Sequence, residues 1–180
     1  MKVLAKQLGT DHGVAAELWA SGWYEARIVA SMVDDATAVS PQQMDAWRDD
    51  FDNRAIVDTV CFNLFDRTAH AWSKVDQWAT SESEFVKRAG FALLWSLALH
   101  DRTTHDDRFV HGLGLIERAA GDGRPLVDKA VGMALRAIGK RRASLTAAAI
   151  SVAERLAASE NPAARRVGRP ALNELRRSIG

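Results

Sequence analysis

The sequence predicts an all-α fold built from short-looped helix pairs stacked one on the next. Three observations carry that expectation. Apolar residues recur at spacings of three and four along nearly the whole chain, which is the helical period. Only 4 of 180 residues are Pro, and no run of alternating β-branched residues reads as a strand. Short segments also resemble one another at intervals of roughly 35–40 residues, the range of helical repeat proteins.

Taken in order, residues 2–8 form a helix that Gly9 ends, and Thr10 or Asp11 caps the next, 11–20. Ser21-Gly22 breaks that helix, and Trp23 to Val33 is its partner. Ser40-Pro41 is a cap followed by Pro at the first helical position, starting 41–49. Phe51 to Thr68 contains the next helix, about 53–65, with Ile56, Val57, Val60, Cys61, Leu64 and Phe65 as its apolar stripe. After 69–79, Ser81 and Glu84 have capping-box spacing for a long helix, 82–100. The polar run His100 to Asp107 is a loop. Helices 108–119, 124–140, 143–158 and 161–177 follow, separated most clearly at Gly121-Asp122-Gly123 and Asn161-Pro162.

The repeat is visible in the second helix of each pair. Residues 85–89 (PheValLysArgAla) line up with 126–130 (LeuValAspLysAla), 41 residues later, and with 163–167 (AlaAlaArgArgVal), 37 beyond that. Arg88, Lys129 and Arg166 sit near the starts of these helices, and Arg27 and Arg54 hold similar places upstream. This is the pattern of a HEAT-type α-solenoid, a single domain over 1–180, with one cation per repeat on a concave face.

Composition narrows the partners. Residues 1–100 carry 9 Lys and Arg against 14 Asp and Glu, whereas residues 101–180 carry 15 against 9. A chain polarised in this way suits an anionic partner at its basic end. The single Cys61 cannot form an internal disulfide and reads as core, in keeping with a reducing compartment. No segment has the order of a signal peptide or the ~20 apolar residues of a membrane span, so a cytoplasmic protein without membrane contact is expected.

A curved face with regularly spaced cations suits duplex DNA. Arg136, Lys140, Arg141 and Arg142 would add phosphate contacts near one end. Basic residues at a helix C-terminus also complement the helix dipole, which accounts for Lys140 to Arg142 equally well; it does not account for Arg88 and Lys129. Asp58 lies one turn after Arg54, where the two read either as a surface ion pair or as part of a site. No Gly-rich phosphate loop, nucleophile–base pair or metal-ligand spacing is present; His100, His105 and their neighbouring aspartates fit no metal site, and no cofactor is expected. The six tryptophans fall mostly on apolar faces and read as core.

Ordered segments then carry a resemblance. LeuAlaLysGlnLeuGly at 4–9, GluLeuTrpAlaSerGly at 17–22, GlnMetAspAlaTrp at 43–47, AsnLeuPheAspArgThr at 63–68, PheValLysArgAlaGlyPheAla at 85–92 and AlaLeuArgAlaIleGlyLysArg at 134–141 resemble the DNA alkylation repair family. These are the HEAT-like-repeat alkylpurine DNA glycosylases, and the resemblance runs through essentially the whole chain, starting after the family's first helices. It implies a monomeric solenoid that cradles duplex DNA and hydrolyses the N-glycosidic bond of N3- and N7-alkylated purines. The family's catalytic carboxylate falls on Asp58 and its basic partner on Arg88.

The chain departs from the family at three places. One active-site tryptophan is replaced by Arg54 and the other by Met133, and Pro125-Leu126 stands where an aromatic would wedge near the DNA backbone. A cation at Arg54 would repel a cationic base and sugar, and could pair with Asp58. Two charges ~4 Å apart interact by roughly 4 kcal/mol at an effective dielectric near 20. Losing half of that from the transition state slows a reaction about thirtyfold. The resemblance therefore implies weak excision, with a non-excising DNA binder or a protein-interaction scaffold as the alternatives.

Overall fold

The computed structural model describes residues 1–178, and among them the regular structure is helical throughout. The helices are α1 (Lys2–Leu8), α2 (His12–Ala20), α3 (Tyr24–Val33), α4 (Pro41–Asp49), α5 (Arg54–Asn63), α6 (Ala71–Trp78), α7 (Glu84–His100), α8 (Asp106–Ala119), α9 (Pro125–Arg141), α10 (Ala143–Ala158) and α11 (Pro162–Arg177). A 3-10 turn, Phe65–Arg67, follows α5. No helix among the described residues is long and apolar enough to cross a membrane.

Local signals set most boundaries. Asp11, Ser40, Asn53 and Asn161 each accept a hydrogen bond from a backbone N–H in the first turn they precede. Pro41, Pro125 and Pro162 occupy first helical positions, where a missing N–H costs nothing. One expected signal fails. Ser81 does not form a capping box with Glu84; its hydroxyl accepts instead from the Ser83 N–H, and α7 starts two residues later than expected. The stretch after Asn63 also leaves the α-helix earlier than its apolar stripe suggests, because Leu64 takes a non-helical conformation that swings Phe65 into the core.

The second helices α3, α5, α7, α9 and α11 lie side by side in one layer, and α2, α4, α6, α8 and α10 form the other. A train of aromatic rings joins α2, α4, the 3-10 turn and α6 near the N-terminal end. Trp19 stacks on Trp47 at 4.0 Å, Trp47 meets Phe65 at 6.2 Å, and Phe65 meets Trp78 at 5.9 Å. Two of the three indole N–H groups are satisfied, Trp19 donating to Asp50 and Trp78 to Asp45. Cys61 is fully buried, and burial pushes its thiol well above the ordinary range, so it is core.

Gly90 is where α7 crosses the end of α6. A Cβ there would stand 2.5 Å from the backbone nitrogen of Ala79. Gly90→Ala should therefore force the two helices apart and cost about 1–3 kcal/mol. Thermal unfolding should show a drop of about 2–4 °C per kcal/mol.

Ion pairs tie the helix starts together. Lys87 of α7 and Arg124 both bind Asp122, at 2.9 and 2.6 Å, and Arg166 of α11 binds Asp128 of α9 at 2.9 Å. The Arg124 and Lys87 hydrogen bonds hold the nearly buried Asp122 carboxyl far below its ordinary value of 3.8. Its stabilising effect is thus complete above that value and is lost as pH falls below it. Asp122→Asn should lower stability at neutral pH and flatten the acid limb of a denaturation profile measured below pH 4.

Candidate nucleic-acid interface and carboxylate site

Asp58 sits in the second turn of α5, pointing away from the stripe formed by Ile56, Val57, Val60 and Cys61. It is held by Arg88 of the neighbouring α7. The Arg88 Nε and Nη2 donate to Oδ1 at 3.0 and 2.8 Å, and Nη2 donates to Oδ2 at 2.6 Å. Nη1 donates to the Leu126 carbonyl in the first turn of α9, at 2.6 Å. One guanidinium therefore bridges α5, α7 and α9. Arg88 is 2% exposed, whereas the Asp58 side chain keeps 28% of its surface open. A cation so deeply buried must be paired, and a fork of planar donors is the geometry that pairs it with a carboxylate.

This geometry corrects two expectations. Arg54 is exposed and makes no hydrogen bond or ion pair among the described residues, so it does not cover Asp58. Arg88, expected to offer a cation to a phosphate, has its charge turned inward onto Asp58 and Leu126.

The other basic residues divide into two groups. Lys129, Met133, Arg136 and Lys140 share one face of α9, being three or four residues apart. Lys129 is exposed and lines a hollow of about 400 Å³ with Asp128, Arg136 and Arg166. Arg136 and Lys140 both pair with Glu174 of α11, and Arg136 Nη2 also reaches the Met133 sulfur at 2.8 Å. Arg141 and Arg142 leave this face, which corrects their placement beside Lys140. One residue further is a rotation of about 100°. Arg141 donates to the Ala98 carbonyl, and its guanidinium lies 4.2 Å from the Phe109 ring centre. Arg142 binds Asp106 at 3.1 Å and so secures the start of α8.

Sequence reasoning missed several residues here. Tyr24, Ile28 and Met32 of α3, Phe62 of α5 and Trp95 of α7 line a cleft of about 400 Å³ whose wall includes Asp58. Phe62 and Trp95 meet edge to face at 4.5 Å. The available signal was position: Phe62 is one turn beyond Asp58, and Trp95 is two turns beyond Arg88. Trp72 and Trp95 are half-buried and Trp23 is 72% exposed, so these three depart from the expectation that the tryptophans are core. Arg165 and Arg169 were also missed; with Arg166 they line a second basic hollow on α11. The histidines of the 100–107 loop turn to separate partners, His100 to Asp66 and His105 to Asp107.

Comparison with known proteins completes the picture. The chain superposes on a solved structure described as one of "a new family of proteins related to the HEAT-like repeat DNA glycosylases with affinity for branched DNA structures", with a TM-score of 0.80 and 21% sequence identity. The superposition covers 99% of this chain and 79% of that one, and it establishes the HEAT-like fold. A search of curated proteins finds no match. The DNA alkylation repair enzyme family matches residues 1–174, which is nearly the whole sequence and includes the Asp58–Arg88 pair together with the basic face of α9. By that match, the chain belongs to the DNA alkylation repair enzyme family.

Proposed function

We propose that this protein binds duplex DNA along the face made by its second helices and slowly excises N3- or N7-alkylated purines there. The observation that carries the reading is Asp58: a carboxylate oriented by three hydrogen bonds from a buried arginine, yet still open to that face. Breaking the N-glycosidic bond leaves positive charge on the sugar, and water then adds to the same carbon. A preoriented carboxylate stabilises that charge as it develops, without reorganising. The base departs readily because alkylation has already made it cationic. Arg54 and Met133 supply no aromatic face for either cation, which accounts for the slow rate. The test is release of methylated base from alkylated duplex DNA, compared with spontaneous loss from the same substrate.

A second reading, recognition of branched DNA without excision, is favoured by Arg54, an exposed cation one turn from Asp58, and by the affinity described for the structural neighbour. Absence of base release combined with tight junction binding would select it.

Both readings predict a steep salt dependence, since phosphate contacts displace counterions. Lys129→Ala should weaken binding uniformly across sequences and reduce the magnitude of the log–log salt slope by about 1. Arg142→Ala, whose charge is spent on Asp106, should leave that slope unchanged. Fluorescence anisotropy at several salt concentrations separates the two.

A further inference from the structure

We infer that the cleft between α3, α5 and α7 receives an unpaired nucleobase, an inference that rests on the DNA-binding reading above. Its size is that of an ordinary small-ligand site, about 300–1,000 Å³. Its walls are aromatic: Tyr24 is 41% exposed, and Phe62 and Trp95 are half-buried. Four polar groups are available at its edge. The Tyr24 hydroxyl, the Thr59 hydroxyl and the Trp95 indole N–H have no partner among the described residues, and Asn63 uses its amide nitrogen on Ser31 but leaves its oxygen free. Donors and acceptors around flat apolar walls suit the edges and faces of a heteroaromatic ring.

Charge selects among such rings. Arg88, buried behind Asp58, offsets part of the carboxylate's charge at the cleft wall, so a neutral ring can enter without the repulsion a free anion would meet. Lys2, exposed and lining the same cleft, brings a cation suited to the phosphate that a nucleotide carries. A paired base could enter only after unstacking, whereas a base at a branch point or opposite a gap is already free. Stacking in this cleft would therefore make the protein prefer DNA that presents such a base, independently of any excision at Asp58.

The experiment places 2-aminopurine at the unpaired position of a three-way junction and, separately, within a fully paired duplex. The wild-type protein should change the 2-aminopurine emission of the junction on binding. Trp95→Leu and Tyr24→Ser should each weaken junction binding by about five- to fiftyfold while leaving duplex affinity unchanged. The Tyr24 variant alters an exposed side chain, so it reports on the cleft even where the Trp95 variant is poorly folded. Unchanged emission on a bound junction, or equal losses for junction and duplex, would overturn the inference. If neither DNA binds, the DNA-binding reading falls by itself. A titration with 2-aminopurine deoxyriboside monophosphate then decides the cleft: saturable quenching that Tyr24→Ser removes supports it, and no quenching overturns it.

Discussion

Asp58→Asn is expected to reduce excision of methylated purine by about a hundred- to a thousandfold, the effect of removing one preoriented electrostatic group from a transition state. The amide keeps the size of the carboxylate but accepts from Arg88 through one oxygen only and leaves that buried guanidinium without a counter-charge, so stability should also fall and the folded fraction is measured alongside DNA affinity. What disappears is the negative charge beside a sugar that becomes cationic. Single-turnover release of methylated base, with DNA binding measured in parallel, separates the two quantities. Arg54→Trp provides the opposing control. It removes an exposed cation one turn from Asp58 and adds an aromatic face, so the rate should rise. An Asp58→Asn variant as active as the parent protein would remove Asp58 from the chemistry.

Arg88→Ala should be the most destabilising single change at the site, by about 3–5 kcal/mol. The loss has two sources. The guanidinium is 2% exposed and ties Asp58 of α5 to the Leu126 carbonyl of α9, so its removal leaves a void and an unpaired carboxylate. Arg88→Met fills most of the void and isolates the electrostatic part. Combined with Asp58→Asn, the Arg88 change should cost less than the two single effects added together, because the residues act as a pair. Denaturant titrations of the parent protein, Arg88→Met, Asp58→Asn and the double variant measure that coupling directly.

Much of this molecule was legible in its residues. Apolar spacing, the caps at Asp11, Ser40 and Asn161, and the prolines that open α4, α9 and α11 act within a few residues, so the linear chain displays them. The 35–40-residue recurrence likewise marks the helix pairs, because every repeat meets the same packing problem. The capping box at Ser81 failed since its spacing admits a second local solution, the turn closed on the Ser83 N–H.

By itself the sequence determined the helices, their pairing and the presence of one acid among spaced cations. Only the tertiary structure decided which charges remain open. Arg88 is turned inward, Arg141 and Arg142 support α8 and its junction with α7, and Lys129 and Arg54 stay exposed, although the sequence offered all five as DNA contacts. The cleft of Tyr24, Phe62 and Trp95 likewise gathers residues from three helices up to 71 positions apart. The reason is physical: helical propensity and capping are local, but the fate of a charge or a ring depends on which neighbouring helix buries it.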